Sequence, residues 1–262
     1  MNWQVTKVAK RIPKLRKPVL IEGLPGIGNV GKLAVDFVIE ELKAERAYEF
    51  FSYSFPHSVF VNEDNLVELP SITLYYKRLP KRDILLLTGD VQPIDEYSCY
   101  EFSDVLLDLA VKHGATEVIT LGGIGLPTLP KTPKVFITGN DPKLVERYRQ
   151  GAKADGNLFG IVGPIVGVSG LLVGLAGRRG IPAVTMLAET YGHPMYLGVK
   201  GARQILEMLS AKIPFGIDLA KMDREISEMD ADMLRKTKEL SQAGKRPGKL
   251  GTESSKETSY IG

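Results

Sequence analysis

The sequence predicts an α/β fold, a three-layer α/β/α sandwich in which helices cover both faces of a mainly parallel sheet. Three observations support this prediction. Short apolar runs at residues 18–21, 84–88 and 118–121 end in glycine or an acidic residue, which is typical of buried strands. Segments with apolar residues at helical spacing alternate with most of these runs. Residues 48–76 are rich in aromatic and β-branched residues without a helical segment, which predicts antiparallel strands.

The elements are predicted in the following order. A strand at 18–21 leads into a glycine loop at 23–31 and a helix at 32–45. Residues 58–61 and 66–69 flank a polar NEDN turn and predict an inserted β-hairpin, followed by a strand at 71–76. The later strands are predicted at 83–88, 117–121, 135–138 and 181–187, and the later helices at 96–113, from 142, from 168 and at 195–209.

The pattern divides the chain into a core domain (residues 1–212), an amphipathic helix (213–240) and a flexible tail (241–262). The helix carries one apolar stripe with residues spaced three, four, three and four apart, the a/d pattern of a coiled coil. Such a stripe should pack against another helix, in this chain or in a second copy. The tail is polar and has no apolar periodicity. The stripe consists of Leu219, Met222, Ile226, Met229 and Met233.

Composition narrows the class of protein. The chain has 262 residues, of which 44% are hydrophobic and 25% charged, as in ordinary globular proteins. A net charge of +3 is too small to indicate a nucleic-acid partner. Cys99 is the only cysteine, so an intramolecular disulfide and a multi-cysteine metal site are excluded, and we expect a partly buried thiol. The sequence has no apolar run of membrane length and no secretory signal at its start, so we expect a cytoplasmic protein without a membrane partner.

The glycine loop matches a dinucleotide-binding motif. Residues 26–31 satisfy G-x-G-x-x-G between a predicted strand and helix. Three observations count against this function. Gly23 and Pro25 make the loop longer and stiffer than the usual tight turn, residues 48–53 lack the expected acidic residue at the end of a strand, and Gly31 is also explained by packing of the helix on the sheet. A phosphate-binding loop of the G-K-[ST] type is excluded.

Three carboxylates are the basis of an alternative hypothesis, that the protein is an enzyme. Glu22, Asp90 and Glu189 each follow a predicted strand, and His193 lies four residues after Glu189. Carboxyl ends of parallel strands share one edge, so these groups could meet in an acid–base or metal site. We favour the alternative that they cap helices or face water, because no carboxylate is paired with a nucleophile. A nucleoside- or nucleotide-directed enzyme stays the second hypothesis, and we expect neither metal nor cofactor.

The sequence resembles the proteasome-assembly-chaperone (PAC2) family over about residues 15–210. GLPGIGNVGKLAVDFVIEEL at 23–42 is similar to the opening signature of that family. Residues 122–127 resemble its second glycine loop, and residues 160–163 and 170–176 resemble its third. The family glycine loop falls on Gly23, Pro25, Gly26, Gly28 and Gly31.

This resemblance implies an α/β/α sandwich akin to the nucleoside phosphorylases, without their catalysis. It implies an archaeal-type protein that forms a homo-oligomer and binds proteasome α subunits, as an assembly chaperone or as an adaptor or activator. Some members of the family dock on the proteasome ring through a C-terminal tail in which tyrosine is second from last. Here the sequence closes with Tyr260, Ile261 and Gly262, so tyrosine is third from last. These three residues are the expected contacts to the partner.

Overall fold

A computed structural model of the chain describes residues 3–150, 154–155, 158 and 163–228. The chain divides into two compact units, Met1–Met222 and Asp223–Gly262. In the first unit the helices are α1 (Val30–Leu42), α2 (Glu96–Lys112), α3 (Pro142–Arg149), α4 (Val168–Arg178) and α5 (Val199–Lys212). The strands are β1 (Trp3–Lys7), β2 (Val19–Glu22), β3 (Glu45–Ser52), β4 (Phe60–Val61), β5 (Val67–Glu68), β6 (Ile72–Lys77), β7 (Ile84–Gly89), β8 (Glu117–Leu126), β9 (Val135–Gly139), β10 (Ala154–Asp155) and β11 (Ala183–Tyr191).

The described residues contain one nine-stranded sheet in the order β1-β3-β6-β7-β2-β8-β11-β9-β10. Its four central strands, β7, β2, β8 and β11, are parallel. The strands β1, β3 and β6 on one side and β9 on the other pair antiparallel with their inner neighbours. The apolar runs at 18–21, 84–88 and 118–121 therefore share one sheet, and the predicted fold class is confirmed.

Helices cover both faces of the sheet. α1 packs against α5 on one face, and α2 packs against α4 on the other. Successive residues of each strand point to opposite faces, so all four residues of β2 are buried, two toward each layer of helices. Within the described residues, no helix is long and apolar enough to cross a membrane.

The edge strand β1 was not predicted. It pairs antiparallel with β3, but four of its five residues are exposed, so the strand shows no apolar alternation. Trp3 anchors it, because the indole packs on the rings of Phe55 and Phe102 at centroid distances of 5.4 and 4.6 Å. One aromatic side chain at the start of the chain is too weak a sequence signal to identify a strand.

The predicted hairpin is present as β4 and β5, which form a separate two-stranded sheet. Asn62 closes its turn, because the side-chain oxygen accepts from the backbone nitrogens of Asp64 and Leu66 at 3.1 and 2.9 Å. Val61 and Val67 pair across the hairpin and are 64% and 70% exposed. The strand residues and the turn residues of the hairpin all lie within one short segment, so this element could be predicted from sequence.

Two helix starts illustrate where local signals succeed and fail. Asp141 caps α3 by accepting from the nitrogen of Leu144, and Pro142 occupies the first turn, as predicted. The last helix of the core was expected from residue 195 but begins at Val199. A turn closed by the bond from the nitrogen of Tyr196 to the carbonyl of His193 precedes it. The apolar residues in this turn have the spacing of a helix, which explains the early predicted start. Met195 is nevertheless 81% exposed.

The helix α1 approaches β8 through its main chain. A Cβ atom placed on Gly31 would lie 2.2 Å from the carbonyl oxygen of Leu121, and one placed on Gly23 would lie 2.2 Å from the carbonyl oxygen of Gly31. Real Cβ atoms do not approach oxygen so closely, so both positions require glycine. Gly26 differs, since the nearest atom to its Cβ position is Nε2 of Gln92 at 4.0 Å.

We predict that Gly31→Ala lowers the free energy of unfolding by about 1–3 kcal/mol, because the methyl group forces the helix off the strand. Gly26→Ala is the matched control and should change it by less than about 0.5 kcal/mol. Its backbone is extended, with φ of −159°, so alanine adopts it without strain. Urea denaturation of the two variants measures the difference. Equal stabilities would contradict the close approach of α1 to β8.

Candidate functional site

A cleft of about 460 Å³ lies where β2 and β8 end. Three segments line it, namely the glycine loop with the start of α1, the second half of β8, and residues 163–166 together with Ser169 in the first turn of α4. Gln92 and Leu187 complete the lining. Carboxyl ends of parallel strands are where α/β proteins commonly bind ligands, so this cleft is the candidate site.

The glycine loop turns sharply at the mouth of the cleft. Gly28 and Asn29 both adopt left-handed backbone conformations, with φ of 62° and 51°. This turn directs the start of α1 to the cleft, which Val30 and Gly31 line. Neither α1 nor α4 has an N-cap side-chain bond or an acidic residue in its first turn. Two helix N-termini with their partial positive charges therefore border the cleft.

Gln92 fixes the walls of the cleft relative to one another. Its Nε2 donates to the carbonyl oxygen of Pro25, and its Oε1 accepts from the backbone nitrogen of Val168 at 3.2 Å. The same side chain thus holds the glycine loop and satisfies one amide at the start of α4. Sequence reasoning missed Gln92, because its partners lie 67 and 76 residues away in the chain.

Glu22 is fully buried beneath the cleft. Its Oε1 accepts from the backbone nitrogen of Leu24 at 2.9 Å and from Oγ of Ser169 at 3.2 Å. Its Oε2 has no hydrogen-bond partner within the described residues. Burial disfavours the ionised carboxylate and raises the pKa of Glu22 to about 7, although the two hydrogen bonds oppose this shift.

Glu22 belongs to a buried polar row that crosses three parallel strands. It pairs in register with Thr120 of β8, which pairs in register with Thr185 of β11. The two threonines are also buried, and within the described residues their hydroxyls have no hydrogen-bond partner. Two positions further along β8 and β11, on the same face, Gly122 and Leu187 line the cleft, as does Leu24 just after the end of β2. The polar row therefore lies directly below the floor of the cleft.

The other candidate carboxylates do not reach this site. Asp90 accepts from the backbone nitrogen and the hydroxyl of Ser71 at 3.0 and 3.1 Å. Oε2 of Glu189 accepts from the backbone nitrogen of Lys134 at 3.0 Å. Neither lines the cleft, so the structure does not bring the three carboxylates together. In the described part of the chain, no cluster of three or more acidic, histidine or cysteine side chains could hold a metal ion.

The contacts of His193 and Cys99 indicate structural roles for both side chains. The imidazole of His193 stacks on the ring of Tyr191 at a centroid distance of 5.7 Å, and its Nδ1 accepts from the nitrogen of Met195 at 3.3 Å. Cys99, expected to be partly buried, is buried, and its thiol donates to the carbonyl of Pro93 at 3.4 Å. Burial, reinforced by the charge of Asp95, raises the pKa of the Cys99 thiol and keeps it protonated.

The topology explains why the glycine motif differs from a dinucleotide-binding unit. In that unit the strand after the helix is parallel to the first strand and lies next to it in the sheet. Here the chain leaves α1 for β3, and β6 and β7 lie between β3 and β2 in the sheet. Gly31 is required by helix-on-sheet packing, as the sequence indicated. The motif therefore arises from packing of α1 in a different topology.

The predicted C-terminal stripe is described in part. Residues 220–222 of the first unit and 223–228 of the second are helical. Lys221 forms an ion pair with Glu41 of α1, and Met222 is buried with 2% exposure. Leu219 and Ile226 are half-buried. Met229 and Met233 lie outside the described residues, as do the expected partner contacts Tyr260, Ile261 and Gly262 and the whole predicted tail.

The raised pKa of Glu22 makes stability depend on pH. Between about pH 4.5 and 7 the folded protein keeps a proton on Glu22 that the unfolded chain releases. This carboxyl should therefore lower the free energy of unfolding by about 3 kcal/mol as pH rises through that window, with no further loss above it. Glu22→Gln should remove this contribution.

Chemical denaturation of both proteins at pH 4.5 and pH 8 measures the effect of Glu22. Titrating groups elsewhere contribute equally to the two proteins, so the difference between their stabilities isolates this carboxyl. We expect the variant to gain stability relative to the parent protein as pH rises. A difference that does not change with pH would contradict a protonated Glu22 in the folded state.

Comparison with known proteins agrees with this architecture. The model of the PAC2 family matches residues 20–236. An uncharacterised protein of Methanocaldococcus jannaschii is 29% identical over 261 residues, which cover 98% of this chain and 97% of that protein.

Two solved structures from Pyrococcus furiosus are similar. PbaB, an archaeal proteasome activator, has a TM-score of 0.81 and 31% identity, with 90% of this chain and 99% of PbaB covered. PbaA, an archaeal homologue of proteasome-assembly chaperone, shares the fold with a TM-score of 0.73 at 22% identity. The match covers 91% of this chain and 94% of PbaA. The resemblance to this family is thus confirmed over most of the sequence, and the chain belongs to the PAC2 family.

Proposed function

We propose that this protein acts on the proteasome as an assembly chaperone or activator, by binding α subunits as a homo-oligomer. The observation that carries the proposal is the 31% identity to PbaB along nearly the whole of that protein. Identity at this level, together with a shared fold, supports a related partner. The described body offers no nucleophile–base pair in its cleft that would favour an enzyme instead.

The C-terminal residues are the proposed anchor. Tyr260 and Ile261 are apolar side chains at the close of a polar segment, which suits a peptide that becomes ordered on binding. The tyrosine ring would be buried between neighbouring subunits. Ordering the segment costs conformational entropy at each residue, so one tail should bind weakly. Several tails on one oligomer would bind a ring more tightly through their effective concentration.

Removing Tyr260, Ile261 and Gly262 should abolish binding to proteasome α subunits, with the fold unchanged. Co-purification with α rings, followed by native mass spectrometry, measures the loss. The matched control is Thr258→Ala/Ser259→Ala, which alters the same segment but keeps its apolar side chains. This variant should bind as the parent protein does. Binding of the shortened protein at the parent affinity would place the contact surface on the α/β body.

The apolar stripe is the proposed contact between copies. The ion pair of Lys221 with Glu41 and a bond of 3.4 Å from the nitrogen of Asp218 to the same carboxylate fix the start of this segment on α1. Met222 is already buried. The self-association therefore depends mainly on the later members of the stripe, Ile226, Met229 and Met233, which continue the three-four spacing.

Ile226→Asp/Met229→Asp should weaken self-association, because two carboxylates would have to be desolvated at the helix contact. Light scattering at micromolar concentration should report a smaller mass for the variant than for the parent protein. Ser227→Asp introduces one carboxylate at an exposed position of the same segment and serves as the control. A parent protein that is already monomeric, or a double variant of unchanged mass, would refute the proposed interface.

A further inference from the structure

A second concave surface lies at the amino-terminal ends of the central strands, at the edge of the sheet opposite the glycine cleft. This basic groove has a volume of about 550 Å³. It is lined by Lys17, Lys81, Arg82, Thr116, Glu117, Asp141, Lys143, Leu144, Arg147 and Pro182. Five cationic and two acidic side chains give the groove an excess of three positive charges, which equals the net charge of the whole chain. The groove therefore has a local positive excess.

A buried carboxylate orients the two arginines of the basic groove. Glu117 is 3% exposed, and its Oε1 accepts from Nη1 of Arg82 at 2.8 Å and from the hydroxyl of Tyr148 at 2.6 Å. Its Oε2 accepts from Nη2 of Arg147. Arg82 is held further by bonds to the carbonyl of Lys17 at 3.0 Å and to Oγ1 of Thr116 at 2.7 Å. Both guanidinium groups are thus fixed before any ligand arrives.

The three lysines of the basic groove have a different role from the arginines. Lys17, Lys81 and Lys143 are exposed, and none of them takes part in an ion pair among the described residues. The nearby carboxylate of Asp141 caps α3 through the nitrogen of Leu144. The groove therefore has three unpaired lysines and two fixed arginines, and Glu117 is the one buried carboxylate among its described lining residues. This leaves a positive potential over a concave surface.

We propose that the basic groove binds a compact polyanion of the phosphate class, such as pyrophosphate or the diphosphate of a nucleotide. Arg147 is half-exposed and presents an oriented fork of N–H donors, the geometry that recognises phosphate oxygens. The three lysines add further point charges to the lining. Leu144 and Pro182 are the apolar members of the described lining, so recognition depends on charge. This site is separate from the proposed proteasome contact.

The ion-pair network around Glu117 also has a role in holding the fold together. Glu117, Arg82 and Arg147 also tie α3 to β8, and that tie alone would explain their contacts. It would not explain Lys81 and Lys143, which are in none of these bonds. Replacing the two lysines therefore tests ligand binding without disturbing the ion-pair network.

The test is isothermal titration calorimetry of the full chain with inorganic pyrophosphate, ADP and adenosine as probes. We expect pyrophosphate and ADP to bind and adenosine to give no signal, because it lacks phosphate. Affinity should fall when sodium chloride is raised from about 50 to about 300 mM, since exposed charges are screened. Lys81→Ala/Lys143→Ala should weaken pyrophosphate binding about tenfold or more at an unchanged melting temperature.

The control is Lys10→Ala/Lys131→Ala, which removes the same charge from two exposed lysines outside the groove and should leave affinity within about twofold. Tighter binding of ADP than of pyrophosphate would identify a nucleotide as the ligand, and equal binding would identify the diphosphate itself. Absence of binding by both phosphates, or equal loss in the groove and control variants, would overturn the proposal. Binding of an acidic peptide in place of pyrophosphate would overturn it as well.

Discussion

The main chain of α1 lies in direct contact with the main chain of β8, and much of the first unit depends on this contact. It is possible because Gly23 and Gly31 stack on each other and on the carbonyl of Leu121 without side chains between them. The close approach brings the start of α1 to the ends of β2 and β8, where the glycine loop then forms a wall of the cleft. The same glycines that look like a phosphate-binding motif are thus needed to seat the helix.

This arrangement leaves a carboxyl in an unusual position. Glu22 ends β2 on the face covered by α4, so it is buried at the centre of the sheet instead of facing water. Burial of an unpaired carboxylate is unfavourable, and the group responds by keeping its proton up to about pH 7. Thr120 and Thr185 continue the row with hydroxyls that lack partners in the described residues. A row of this kind costs stability, because each unsatisfied buried group loses its hydrogen bonds to water.

The two edges of the parallel sheet have opposite chemistry. Among the described residues, the cleft at the carboxyl ends has no charged side chain, and it is lined by glycines, aliphatic side chains, Gln92 and Ser169 beside two helix N-termini. The basic groove at the amino ends is dominated by lysine and arginine around Glu117. A mainly parallel centre makes this separation possible, because every central strand presents its start at one edge and its end at the other.

The sequence by itself determined the central strands, the helices α1 to α4, the hairpin, the buried thiol of Cys99 and the family. These features depend on apolar periodicity, caps, turns and glycine spacing, which are local properties of a short segment. The tertiary structure alone decided the place of β1, the start of α5, the role of Gln92, the polar row and the basic groove. Each depends on groups far apart in the chain, such as Glu22 and Ser169, which are 147 residues apart. A local pattern contains no information on which distant side chain will meet a buried carboxyl, because the packing of helices on the sheet sets that pairing.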